Sequence, residues 1–280
     1  MPVTDADYQL FEGAPESLRV LEDYANRSAP LLRRPGAAAQ VSYGDHPREC
    51  MDILLPAVGK PAPFVLFIHG GWWKAGHPST RLFLAPAFLD RGIAFVSVGH
   101  PLAPGATLPE IAASIARAIT WLAEHGPGQG LDLSRIVVAG NSAGAHLATF
   151  AGSTGSAGTP WSLPSAPLGI CALSGLYDLE PLRGTFAQDW LALSGDIAAE
   201  YSPILREARQ GVPYHLGVGT AEPAGFRAQT HAFASHLAER GQDVVTQEVE
   251  GATHLGIVEE FGRPGAAAFE FITSKLERTQ

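Results

Sequence analysis

Arg135-Ile136-Val137-Val138-Ala139-Gly140-Asn141-Ser142-Ala143-Gly144 decides the reading of this chain: an apolar strand-like run enters a G-x-S-x-G pattern, and a helical stretch follows to Phe150. A strand that turns into a helix through so tight a bend strains its central residue and holds that side chain above the end of a sheet. Gly140 and Gly144 remove side chains that would collide where strand and helix crowd together. The helix start aims free N–H groups and positive dipole at any oxyanion forming beside Ser142. In a chain with 31 glycines the pattern alone is a weak signal. Its flanks make Ser142 a candidate nucleophile.

Outward from this turn, short apolar runs alternate with helical patterns, the rhythm of a mostly parallel sheet with helices on both faces. Strands are predicted at Glu49–Leu55, Phe64–His69, Ile93–Gly99, Arg135–Gly140, Leu168–Ser174, Tyr214–Gly219 and Val244–Val249. Helices are predicted at Pro109–Glu124, Ala143–Ala151, Phe226–Arg240 and Pro264–Leu276. Gly59 to Pro63 reads as a turn, and the Gly/Ser/Pro-rich stretch from Ser153 to Pro167 as a plain connection at the rim opposite Ser142. With no linker long enough to divide it, the chain reads as one α/β domain over residues 1–280. Residues 1–40 form an N-terminal helical segment, and residues 175–212 a small cap on the catalytic rim.

Parallel strands all end on one rim, so the loops that follow them should hold the chemistry. Phe64 to Ile68 runs into His69-Gly70-Gly71-Trp72-Trp73, a glycine turn able to point N–H groups into a cavity. Gly71 and Trp72, with Ala143, are the candidate oxyanion donors, and His69 more simply braces the turn. His254 follows the last strand, where chain order places the general base. Chain order favours Glu222, in Thr220-Ala221-Glu222-Pro223, as the acid that orients His254. Asp178 is the rival; its structural role would be a turn or helix cap.

Composition narrows the alternatives. A net charge of −9 argues against a nucleic-acid surface, and no apolar stretch is long enough to span a membrane. Cys50 and Cys171 both lie in apolar runs and read as reduced core thiols of a cytoplasmic protein. No metal-ligand spacing, phosphate loop or dinucleotide fingerprint is present, so neither metal nor cofactor is expected.

Taken together, His69-Gly70-Gly71-Trp72-Trp73, Gly140-Asn141-Ser142-Ala143-Gly144, Ser174-Gly175-Leu176-Tyr177-Asp178-Leu179-Glu180-Pro181 and Gly251-Ala252-Thr253-His254 resemble the kynurenine formamidase-like branch of the α/β-hydrolase superfamily. The similarity runs from about Val41 onward, and the segment beginning at Ser174 is its most specific part. The resemblance implies the α/β-hydrolase fold and a catalytic acid in a Gly-x-x-acid segment before an Arg-Gln helix. Those positions map to Gly219 to Glu222 and to Arg227-Ala228-Gln229, although the family usually carries Asp where Glu222 stands. His100-Pro101 occupies the place of the family's common Tyr-Arg, a departure that bears on substrate preference.

The expected activity is that of a serine hydrolase. Its substrate would be a small aryl formamide, such as N-formylkynurenine, or an aryl ester, cleaved through an acyl-enzyme. A broad short-chain carboxylesterase and a non-catalytic ligand-binding protein of the same fold are the alternatives. Trp72, Trp73, Tyr177 and Phe186 could form aromatic walls, with core packing as the competing role, and His100 borders the same rim. The expected partner is a small molecule, with neither nucleic acid nor membrane, and a homodimer is left open.

Overall fold

Alternation along each strand sorts the core of this protein into two layers. Phe64, Leu66 and Ile68 pack with one hydrophobic cluster, whereas Val65 and Phe67 belong to the other. The same switch separates Ile136 and Val138 from Val137 and Ala139, and Ile170 and Ala172 from Cys171 and Leu173. A strand buried on both faces needs apolar residues at every position, which is why these segments read as continuous runs. The computed structural model describes residues 3–10, 14–57, 61–153 and 166–277.

Eight strands form one sheet: β1 (Ala37–Ser42), β2 (Cys50–Leu54), β3 (Ala62–Ile68), β4 (Ala94–Val98), β5 (Leu131–Asn141), β6 (Gly169–Leu173), β7 (Tyr214–Gly219) and β8 (Val244–Val249). Their spatial order is β1-β2-β4-β3-β5-β6-β7-β8. The pairs β1–β2 and β2–β4 are antiparallel, and every pair from β4 through β8 is parallel. The helices are α1 (Pro15–Ser28), α2 (Ala85–Leu89), α3 (Leu108–His125), α4 (Ala143–Thr149), α5 (Gln188–Leu191), α6 (Gly195–Glu200), α7 (Ala224–Glu239) and α8 (Ala267–Leu276). Side chains of α3, α4 and α7 fill one layer; those of α1, α2 and α8 fill the other. This is the α/β-hydrolase fold, a mostly parallel sheet covered on both faces.

Local chemistry explains where the elements begin. Helix α3 starts at a capping box in which the Thr107 hydroxyl accepts the Glu110 N–H and the Glu110 carboxylate accepts the Thr107 N–H. Helix α1 opens with Pro15, whose missing N–H costs nothing in a first turn. The seven strands expected from the sequence are all present, with β5 beginning earlier, at Leu131. Strand β1 was not among them, and it starts inside the segment expected to be helical. Gly59 and Lys60 of the expected turn, and residues 154–165 of the expected connection, lie outside the described residues; Ala62 and Pro63 belong to β3.

The order β4-β3-β5 means that the chain leaves β3 toward one side and later returns on the other. Loops diverge at such a switch point and leave a crevice at the carboxyl ends of the strands. The turns after β3 and β5 meet there. Among the described residues no helix is long and apolar enough to cross a membrane, and both cysteines are free and buried.

Candidate active site

Ser142 stands between β5 and α4 with φ 57° and ψ −125°, a conformation that L side chains rarely adopt. Its N–H donates to the Leu173 carbonyl, and its own carbonyl accepts the His146 N–H. Gly144 makes the bend feasible, because a Cβ there would lie 2.0 Å from the Ile68 carbonyl oxygen. Across the crevice, the Gly70 N–H donates to Asn141 Oδ1 at 3.2 Å and ties the glycine turn to the serine bend.

That glycine turn is strained along its length, with φ of 122° at Gly71, 53° at Trp72 and 54° at Trp73. The twist leaves the Gly71 and Trp72 N–H groups without a protein acceptor among the described residues. Ala143, first residue of α4, likewise has a free N–H by helix geometry. His69 Nδ1 donates to the Gly70 carbonyl at 2.9 Å, the bracing contact expected of it.

Glu222 and His254 are brought together. His254 Nδ1 lies 2.5 Å from Glu222 Oε2, with side chains 6% and 0% exposed. The second carboxylate oxygen accepts from the Ser174 hydroxyl and from the Gly219 N–H, both at 2.6 Å. Phe226 covers the imidazole, with ring centroids 4.2 Å apart. Three acceptor contacts and burial fix this carboxylate in one position. Asp178 takes the other role weighed for it: its Oδ1 accepts the Glu180 N–H at the start of a single 3₁₀ turn.

Hydrogen bonds connect the serine bend to β6 through Leu173, and the next residue, Ser174, continues the chain to Glu222 and His254. Ser142 and His254 thus share one rim, with relative exposures of 2% and 6%. Among the described residues no hydrogen bond joins Ser142 Oγ to His254 Nε2. Catalytic contacts are often long in the absence of substrate and tighten when it binds.

The aromatic candidates divide. Trp72 is buried edge-on against Tyr8, Phe186, Trp190 and Phe226, and Phe186 remains half-buried. Trp73 is sealed in the core against His146, and Tyr177 stacks on Phe233. His100 lies behind the glycine turn, stacked on His69 at 4.5 Å, with Nδ1 donating to the Pro101 carbonyl. Trp73 and Tyr177 thus take the core-packing role weighed against a wall, and the His100 ring, beside the rim, is turned inward as well. Burial pushes the His100 imidazole down to about 4 and holds His69 well below the ordinary range, so both are neutral.

Several contributors were not singled out in the sequence. Ser174 and Asn141 directly follow or end rim strands, a position that could have marked them. Tyr8 and Tyr24 carried no such mark, and Gln229 was marked only by the resemblance, with no role attached. Gln229 Oε1 accepts the Tyr177 and Asp178 N–H groups, while its Nε2 donates to the Asp178 carbonyl and the Tyr8 hydroxyl. The Tyr24 hydroxyl donates to the Leu255 carbonyl, next to His254. Among the described residues no cluster of His, Cys, Asp or Glu is arranged to hold a metal ion.

Fold and rim geometry together define an α/β-hydrolase. The BD-FAE family model matches residues 51–160. The resemblance to the kynurenine formamidase-like and esterase branch of that superfamily rests on three comparisons. Kynurenine formamidase of Danio rerio is 27% identical over 226 residues, covering 79% of this chain and 75% of its own. Esterase LipC of Mycobacterium tuberculosis is 28% identical over 274 residues, covering 86% and 66%. The crystal structure of a candidate thioesterase from Silicibacter sp. superposes with a TM-score of 0.84 at 25% identity, covering 96% of this chain and 98% of that one.

Proposed function

We propose that this protein is a serine hydrolase acting on a small aryl formamide, such as N-formylkynurenine, or an aryl ester. The buried His254–Glu222 hydrogen bond, on the rim that carries the strained Ser142, is the observation that most supports this reading. Hydrolase relatives, among them kynurenine formamidases and esterases, support it at the level of reaction class.

In this mechanism His254 Nε2 removes the Ser142 proton as Oγ attacks the substrate carbonyl. Glu222 holds the imidazole through Nδ1 and stabilises the imidazolium, and the N–H groups of Gly71, Trp72 and Ala143 receive the oxyanion. The carbonyl–heteroatom bond then breaks, and His254 returns the proton to the departing amine or alcohol. Water, deprotonated by the same imidazole, cleaves the acyl-enzyme and frees the acid. Each oxyanion donor is worth roughly 10²–10³ in turnover. No metal or cofactor has a part in this scheme.

Fluorophosphonate labelling tests the nucleophile. Folded protein should label at Ser142 and lose labelling in Ser142→Ala; an unlabelled wild-type chain would leave the non-catalytic, ligand-binding reading. A panel of N-formylkynurenine, formanilides and aryl esters tests the substrate. Hydrolysis of p-nitrophenyl acetate without cleavage of any N-formylarylamine selects the broad short-chain carboxylesterase, which the relation to esterases favours.

A further inference from the structure

We infer that the cavity between the N-terminal segment and the His254 loop is the leaving-group subsite of the proposed hydrolase, built for a ring-bearing amine or alcohol without net negative charge. The inference rests on the hydrolase reading and specifies which half of the substrate enters this cavity. Its volume is about 460 Å³, with His254, Pro223 and Leu255 on one side and Leu10 and Val20 on the other. Ser142, Gly71, Trp72 and Ala143 do not line it.

The assignment follows from where the proton must go. When the tetrahedral intermediate collapses, His254 gives its proton to the heteroatom leaving the carbonyl carbon. That heteroatom lies on the imidazole side, while the carbonyl oxygen faces the N–H donors and the acyl carbon stays on Ser142. A cavity lined by the imidazole but by neither nucleophile nor donors therefore receives the leaving group.

Size and lining select the occupant. Ligand pockets of roughly 300–1,000 Å³ take whole ring-bearing molecules, far more than methanol or ethanol needs. Leu10, Val20, Pro223 and Leu255 are half-buried and present apolar surface for a ring. Among the described lining residues Glu16 is an exposed carboxylate and Glu222 a buried one, with no Lys or Arg, so an anionic leaving group is repelled.

The outer wall is anchored. Tyr8 packs edge-on against Trp72 and Phe226, its hydroxyl accepts from Gln229 Nε2, and Asp5 Oδ1 accepts the Phe186 N–H at 2.7 Å. The Tyr24 hydroxyl clamps α1 to Leu255. These contacts hold Asp5, Tyr8 and α1 in place against the neighbouring loops, as a specificity wall requires.

The test compares kcat/KM for 2-naphthyl acetate with that for ethyl acetate, two esters sharing one acyl group. Val20→Trp, which fills the cavity, should lower this ratio by about tenfold or more. Leu18→Trp, on the exposed side of α1 (Leu18 is 54% exposed), should keep the wild-type ratio. If Val20→Trp does not fold, Leu10→Trp carries the same expectation. A second series, ethyl acetate to ethyl hexanoate, should keep its chain-length preference in Val20→Trp. A shift in that preference with the naphthyl ratio unmoved makes the cavity an acyl site and overturns the proposal, as does a ratio unmoved in either folded variant. Glu16→Lys should raise the preference for 4-acetoxybenzoate over phenyl acetate by about threefold or more; no change overturns the charge assignment. A wild-type protein inert to every ester and to fluorophosphonate fails the hydrolase reading itself. An active wild type whose ratio ignores the filled cavity fails the subsite alone.

Discussion

Two residues state their roles through geometry that single substitutions can probe. Ser142 holds a backbone conformation that costs a side chain of order 1–3 kcal/mol. Ser142→Gly is expected to raise the free energy of unfolding by roughly 1 kcal/mol, net of the freedom a glycine adds to the unfolded chain, while abolishing ester turnover. Urea unfolding checks it; a lower midpoint contradicts stored strain at the bend. Glu222→Ala should cut turnover by roughly three orders of magnitude, whereas Asp178→Asn should stay within about threefold of wild type. Steady-state rates with circular dichroism as a folding control decide, and a more damaging Asp178 substitution reverses the assignment of the acid. The placing of Ser142, Glu222 and His254 on one rim was legible in the sequence because each follows a strand of the parallel part of the sheet. Trp73, Tyr177 and His100 also follow rim strands, yet their rings turn inward. The direction of a side chain depends on neighbours brought by distant segments, among them His146, Phe233 and His69.

Helices and strands were legible where one period dominated. Strands β3 to β7 are apolar runs bounded by turn residues, and α3 carries its own capping box. Strand β1, Ala37-Ala38-Ala39-Gln40-Val41-Ser42, has neither β-branched alternation nor an apolar run. Antiparallel pairing with β2 and the Gln40 N–H to Asp52 Oδ1 hydrogen bond make it a strand, and both partners lie elsewhere in the sequence. The joining of α7 to the N-terminal segment was hidden for the same reason: a glutamine in a helix does not reveal which distant loops it satisfies. Gln229→Leu leaves two backbone N–H groups, a carbonyl and the Tyr8 hydroxyl to find other partners. It should therefore destabilise the fold by about 2–4 kcal/mol. It should also raise hydrogen exchange in the N-terminal segment beyond that in β5. Equal protection in both regions would mean that Gln229 does not hold the segment in place.

Over the whole molecule, a set of buried neutral histidines ties stability to pH. Burial pushes His100, His146 and His215 down to about 4 from an ordinary 6.5, and His69 falls well below its ordinary value. Arg48 bears on both His69 and His100, Arg81 on His69 and Arg206 on His146, each adding repulsion to the charged form. The sequence alone does not show how deeply the sheet and helices bury His146 and His215. Their folded-state values are depressed, so the unfolded chain takes up protons first as pH falls. Their contribution is complete above pH 6.5 and is lost as pH drops from 6.5 toward 4. Within that window each buried histidine contributes a slope of up to about 1.4 kcal/mol per pH unit. The urea midpoint should be nearly level from about pH 8 to 7 and fall progressively below 6.5, before most carboxylates titrate. His215→Phe, which removes one group that must stay neutral in the fold, should make the decline shallower. A midpoint that stays level down to about pH 4.5, or a decline unchanged in His215→Phe, would show that the buried imidazoles do not govern acid stability.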